Sequence, residues 1–189
     1  MKFRLLFVAV AATLIATEAQ ADGWHASILG GTVWSPHLSV GGVPQKIDSG
    51  FNAGGRLGYD LRSWTGLSGL SLDADVFYTQ SGYSGSQSRL SSLSMMGDLV
   101  YRVDLGLPVG VYAGAGAGAV RTMVDSHTVH DAGTVFGWQA LGGVDYQFTP
   151  ETKMFAEYRY QNAHNANVGP LTGVGYTSNN VSVGLKFDL

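Results

Sequence analysis

The feature that most constrains the fold is a two-residue alternation of apolar and polar side chains, which is clearest in residues 181–189. In an extended chain, successive side chains point to opposite faces, so this segment would have one apolar and one polar face. The apolar face carries Val181, Val183, Leu185, Phe187 and Leu189, and the polar face carries Ser182, Gly184, Lys186 and Asp188. The pattern predicts a β-strand that separates two different environments.

Eight segments share this alternation. They are residues 24–34, 51–61, 70–78, 93–103, 109–119, 136–148, 153–161 and 181–189. The connections alternate between long (35–50, 79–92, 120–135 and 162–177) and short (62–69, 104–108 and 149–151). Long surface loops that alternate with short periplasmic turns are typical of membrane barrels. The sequence therefore predicts an all-β fold, an eight-stranded antiparallel up-and-down transmembrane β-barrel.

The N-terminus has the order of features found in a secretory signal peptide. Lys2 and Arg4 precede an apolar run from Leu5 to Ile15, and Ala19-Gln20-Ala21 follows with small residues at its first and third positions. We expect a signal peptide at 1–21 and one outer-membrane β-barrel domain at 22–189. The later sequence has no run of roughly 20 apolar residues, which a membrane helix needs, so strands must make any membrane span.

Alternation alone leaves open whether the apolar face lines a soluble lipocalin-like barrel or faces lipid. Only 13% of the residues are charged, against about 25% in soluble domains. The polar face is mostly small, as an eight-stranded interior requires. The apolar face is aromatic at both ends, which the two membrane interfaces favour. The predicted interface girdles are Trp24, Tyr59, Tyr101, Tyr146, Phe148 and Phe187 at one rim, and Trp34, Phe51, Tyr78, Phe136, Trp138, Tyr158 and Tyr160 at the other.

If the apolar face looks toward lipid, the polar face places a nearly equal number of positive and negative side chains in the lumen. Buried charges persist when they are paired and hydrogen-bonded, so we expect a packed, salt-bridged lumen. The predicted lumen charge network is Arg56, Arg102, Lys153, Arg159 and Lys186 with Asp60, Asp73, Asp75, Asp98, Asp145 and Glu157. Arg56, Asp75, Asp98 and Glu157 are expected nearest mid-depth. The glycine face of 109–119 would leave room for long neighbouring side chains.

Three features of the sequence could indicate a binding site, but none predicts one. Residues 114–119 match the dinucleotide fingerprint G-x-G-x-x-A, but a loop follows where a helix is needed. The histidines at 25 and 37 are interpreted as rim residues. A connection holds possible metal ligands, Asp125, His127, His130 and Asp131, without a preformed geometry. We therefore predict neither a metal site nor a cofactor.

Catalysis needs a nucleophile, a base and an orienting group within mutual reach. The candidates are His127, His130 and His164 with Ser81, Ser84 or Ser126 and Asp125 or Asp131. Their spacing matches no recognisable set, so we predict that the protein is not an enzyme. A net charge of −3 gives no indication of nucleic-acid binding.

Three segments carry a family resemblance: 108–118 (PVGVYAGAGAG), 138–146 (WQALGGVDY) and 157–160 (EYRY). They resemble the eight-stranded outer-membrane barrels that include opacity-type surface proteins and the OmpA transmembrane domain. The resemblance implies a monomer in the cell outer membrane of a Gram-negative envelope, in contact with membrane lipid and lipopolysaccharide. It also implies insertion by the barrel-assembly machinery through the C-terminal strand, although Leu189 stands where the family usually ends in Phe.

These observations favour an envelope structural or surface-interaction protein of the adhesin or opacity kind, with a packed polar lumen and four extracellular loops. A host-surface ligand is a candidate partner. The alternative is a narrow porin-like channel for small solutes or ions. A lipid A-modifying enzyme is a third, less favoured interpretation.

Overall fold

The computed structural model of the chain describes residues 23–40, 43–46, 49–82, 89–106, 108–125, 130–168 and 171–189. The predicted signal peptide lies outside these residues. The strands are β1 (Trp24–Val40), β2 (Val43–Lys46), β3 (Gly50–Asp60), β4 (Leu70–Gly82), β5 (Arg89–Asp104), β6 (Val109–Asp125), β7 (His130–Gln147), β8 (Thr152–Val168) and β9 (Leu171–Asp188). A short helix, α1 (Arg62–Thr65), connects β3 to β4. Among the described residues, no helix combines the length and apolar character that crossing a membrane demands.

All strands except β2 close into a barrel. In the order β1-β3-β4-β5-β6-β7-β8-β9, each strand pairs with the next in antiparallel orientation, and β9 returns to pair with β1. The closing seam pairs His25 with Asp188 at one end and Ser39 with Gly175 at the other, with a register shift after Trp34. The predicted eight-stranded antiparallel up-and-down barrel is therefore confirmed.

Strand β2 is an addition that the alternation did not predict. It lies in the connection 35–50, expected to be a loop, where it forms a hairpin with the distal end of β1. The hairpin pairs His37 with Lys46 and Val40 with Val43. A strand of only four residues is too short to give a clear alternation, and its Pro44 is atypical of strands.

The barrel strands also extend further than the sequence predicts, into all four long connections. Strand β1 reaches Val40, β4 ends at Gly82 and β5 begins at Arg89, β6 ends at Asp125 and β7 begins at His130, β8 ends at Val168 and β9 begins at Leu171. Backbone pairing continues past the apolar band, where the side chains no longer have to alternate between lipid and lumen. The period-two signal therefore ends before the ladders do.

The burial pattern settles which face points inward. On β4, Leu72 is 55% exposed whereas its neighbour Asp73 is 3% exposed, and polar side chains make up most of the buried set. A soluble barrel would have the reverse arrangement. The apolar face therefore looks outward, as the transmembrane prediction requires.

Candidate functional site in the barrel lumen

Four charged side chains meet in the middle of the lumen. Arg56 Nη2 donates to both carboxylate oxygens of Glu157 at 3.1 and 3.0 Å, and Arg56 Nε donates to Asp75 Oδ2 at 3.2 Å. Arg159 donates to the two oxygens of Asp75 at 2.9 and 2.8 Å and to Glu157 Oε1 at 2.8 Å. We call these four residues the central ion cluster. Its two cations and two anions offset each other where water is largely excluded.

Aromatic side chains fill the space around this cluster. The Arg159 guanidinium carbon lies 4.2 Å from the centroid of the Phe77 ring, which is a cation–π distance. The Tyr112 hydroxyl donates to Glu157 Oε2 at 3.1 Å, and its ring meets Phe155 edge-on. The lumen is thus filled by side chains at this depth, as expected for eight strands.

Asp98 lies beside the cluster, but its carboxylate accepts hydrogen bonds from a side-chain amide rather than from a cation. Gln139 Nε2 donates to the two Asp98 oxygens at 2.7 and 2.9 Å, and Gln161 Nε2 donates to Gln139 Oε1 at 3.3 Å. Nearer the end of the barrel with the long connections, Asn52 Nδ2 donates to Asn180 Oδ1 at 3.4 Å. This half of the lumen is bridged by uncharged amides.

At the end of the barrel with the short turns, which is the predicted periplasmic end, the lumen holds a charged cavity of about 720 Å³. Arg102 lines this cavity. Its Nε and Nη2 donate to the two carboxylate oxygens of Asp145 at 2.6 and 2.7 Å, and its Nη1 pairs with Asp104. Lys153 pairs with Asp188. These ion pairs form a second group, separate from the central ion cluster.

The remaining predicted network residues also lie at this end. Asp60 and Lys186 line the cavity rather than the central ion cluster. Asp73 lies 3.2 Å from His25 Nε2 and 3.9 Å from Arg56 Nε. His25 lies at the end of β1, in register with Asp188, and its side chain is buried in the lumen because the inward phase of β1 places it beside Asp73. The side chain of His37 lies outside the described residues.

Inward-facing glycines make room for these side chains. A Cβ added at Gly110 would lie 2.4 Å from Arg102 Nη2, and one at Gly143 would lie 2.6 Å from the Tyr112 hydroxyl. A Cβ added at Gly116 would meet Asp98 Oδ1 at 1.9 Å. The expectation that the glycine face of β6 leaves room for long neighbours is confirmed.

The substitution Gly116→Ala is expected to destabilise the barrel by about 1–3 kcal/mol, as overpacking does. The new Cβ would also lie 2.5 Å from the Gly97 carbonyl oxygen, so moving Asp98 alone would not relieve it. Urea unfolding in lipid vesicles measures the change. Gly97→Ala is the matched control, because a Cβ there meets nothing within 4 Å. Equal midpoints for the two variants would contradict a tightly filled lumen.

The aromatic residues predicted for the girdles all lie on the outer surface, exposed or half-buried. Several of their rings make contacts, each within one predicted rim. The ring centroids of Trp24 and Tyr59, in the rim at the short turns, are 5.2 Å apart. In the other rim the centroid distances are 6.4 Å for Trp34–Tyr158, 6.1 Å for Phe51–Tyr78 and 5.5 Å for Trp138–Tyr160. Phe136 and Tyr146, ten residues apart on β7, would be separated by about 25 Å along the barrel axis at the usual rise and tilt. That separation equals the height of an apolar membrane band.

Within the described residues, no group of three or more histidine and carboxylate side chains is placed to hold a metal ion. The side chains of Asp125, His127, His130 and Asp131, weighed above as metal ligands, lie outside those residues.

The same is true of most residues weighed for catalysis, including His164, Ser84 and Ser126. Ser81 is described and is buried.

Sequence reasoning missed three lumen residues. Gln139 alternates with the outward-facing Trp138, so the pattern predicts that it points inward, but it carries no charge and the predicted charge network therefore omits it. Phe77 and Tyr112 occupy inward positions, yet their roles depend on Arg159 and Glu157, which lie on a distant strand. The available signal was a large aromatic residue on a face otherwise made of small polar residues.

The sequence matches the outer membrane protein beta-barrel domain family over residues 6–187. No curated protein matches the sequence. Among solved structures, the chain is similar to Neisserial surface protein A, with a TM-score of 0.66, 23% identity, and 88% of this chain and 97% of that chain covered. The chain is also similar to OprG from Pseudomonas aeruginosa, with a TM-score of 0.53 and 15% identity, and 88% of this chain and 97% of OprG are covered.

Ail, the attachment invasion locus protein of Yersinia pestis, was solved in complex with the heparin analogue sucrose octasulfate. It has a TM-score of 0.50 and 18% identity, with 87% of this chain and 99% of that chain covered. At these identities, the structural likenesses show the fold alone. The family match spans nearly the whole chain, and the barrel turns its apolar face outward. This protein therefore belongs to the outer membrane protein beta-barrel domain family and is located in the cell outer membrane.

Proposed function

We propose that the protein acts at the cell surface, as a surface-interaction or envelope structural barrel, and that it is neither an open pore nor an enzyme. The observation that carries this proposal is the central ion cluster. Arg56, Asp75, Glu157 and Arg159 are buried and bonded to one another across the lumen. A solute would have to displace these charge-assisted bonds to pass.

The extracellular strand extensions support the same proposal. Strand β8 continues from Tyr160, in the predicted outer rim, to Val168. At the usual rise and tilt these eight residues add about 20 Å beyond the rim. Paired strands hold the connections away from the lipid on a rigid base, which is where binding residues commonly lie.

Planar-bilayer recording tests the packed lumen. We expect the folded protein to give no large, stable conductance steps, because side chains fill its middle. A gel-mobility shift between unheated and boiled portions of the same sample verifies that the recorded protein is folded. Large, long-lived openings would favour the narrow-channel alternative.

Adherence of expressing bacteria to cultured epithelial cells tests the surface role. We expect expression to raise adherence over an empty vector, and replacement of residues 83–88 and 126–129 by Gly-Ser segments of equal length to lower it. Leu105→Ser, in a periplasmic turn, is the control at the opposite end of the barrel. Adherence equal to the empty vector would contradict a surface-interaction role.

A further inference from the structure

The turn between β3 and β4 carries a large apolar side chain that is unusually exposed. Trp64 is 80% exposed, more than any other large apolar residue among the described side chains, and Leu67 in the same turn is 56% exposed. Neither residue was included in the girdles predicted from the alternation. A local apolar surface of this kind commonly marks an interaction site.

Hydrogen bonds hold this turn in one conformation. Its ends are joined by the Leu61 N–H, which donates to the Leu70 carbonyl at 2.8 Å. The Thr65 hydroxyl donates to the Leu61 carbonyl at 2.9 Å. Gly66 follows helix α1 and caps its C-terminus with a φ of 73°, which lies in the left-handed region that favours glycine. Trp64 is therefore presented by a fixed scaffold.

The turn has two chemically different sides. Arg62 and Ser68 line the charged periplasmic cavity, whereas Trp64 and Leu67 do not. The Trp64 ring instead lies 6.5 Å from the ring of Tyr59 on the outer surface. Tyr59 in turn contacts Trp24 at 5.2 Å. Trp24, Tyr59 and Trp64 thus form a continuous row of rings that leads from the barrel wall onto the turn.

We propose that the β3–β4 turn is a phospholipid anchor, in which Trp64 and Leu67 insert between the headgroups and upper acyl carbons of the periplasmic leaflet. The occupant is lipid because the row of rings continues the lipid-facing wall. Tryptophan combines an apolar body with an N–H donor, and such residues concentrate at this depth. The polar side of the turn meanwhile faces the aqueous cavity.

Depth-dependent fluorescence quenching tests the anchor. The chain has four tryptophans, so replacing Trp24, Trp34 and Trp138 by Phe leaves Trp64 as the only emitter. After refolding into phosphatidylcholine vesicles, we expect phospholipid brominated near the headgroup end of its chains to lower the emission about twofold, as for an interfacial tryptophan. Phospholipid brominated near the chain ends should quench less, and acrylamide in the water should quench weakly.

The matched control moves the indole to the cavity side of the same turn, as Ser68→Trp with Trp64→Phe in the same background. Acrylamide should quench the emission of this tryptophan, whereas brominated lipid should hardly change it. The proposal fails if Trp64 shows this aqueous pattern in vesicles where the heat-dependent gel shift proves folding. It also fails if shielding from acrylamide depends on the protein-to-lipid ratio, which would identify a second copy as the occupant.

Discussion

Replacing Arg159 by Leu is expected to lower the free energy of unfolding by about 3–5 kcal/mol, the usual cost of removing one partner of a buried ion pair. Arg159 is 1% exposed and donates to both Asp75 and Glu157. Without it, the two carboxylates share only Arg56. The Phe77 ring would also lose its cation.

Urea unfolding in lipid vesicles measures this loss. Arg62→Leu is the control, because it removes the same group from an exposed turn and should change stability by less than about 0.5 kcal/mol. Adding Asp75→Asn to Arg159→Leu removes one of the two carboxylate charges that would share Arg56, and it should restore part of the loss. A fall no larger than that of the control would mean that the cluster exchanges its bonds with water and does not seal the lumen.

Whether a side chain points to the lipid or to the lumen was predictable, because this depends only on the local sequence. Alternation between lipid and lumen assigns Asp75 inward and Val76 outward without knowledge of any partner strand. The same reasoning failed beyond the apolar band, where β2 and the strand extensions form through backbone pairing. Backbone hydrogen bonds are nearly independent of side-chain type, so they leave little trace in the sequence.

The partners within the lumen were less predictable. Arg56 and Asp75 are cross-strand neighbours in the β3–β4 register. The bonds from Arg56 to Glu157 and from Arg159 to Asp75 instead cross the barrel. Such contacts depend on the relative stagger of distant strands, which alternation does not specify. For the same reason Asp98, expected to share the charge network, is bonded by Gln139.

Replacing Val183 by Pro is expected to abolish the heat-resistant folded form. Val183 lies in β9, where it pairs with Gly30 on β1 and Ala156 on β8 at the closing seam. A closed barrel has no edge strand, so a residue without an N–H leaves a ladder carbonyl unpaired in a medium that offers no water. In the middle of a sheet, proline removes a ladder hydrogen bond, and here it also interrupts closure of the barrel.

Val183→Ala separates this backbone effect from the side chain, which is 64% exposed on the outer surface. We expect the alanine variant to keep the mobility shift between unheated and boiled samples, and the proline variant to migrate as unfolded in both. Refolding from urea into detergent, without assembly factors, excludes a failure of cellular insertion as the cause. If the proline variant kept the shift, the resistance to detergent would have to come from the packed lumen and not from the closed ladder.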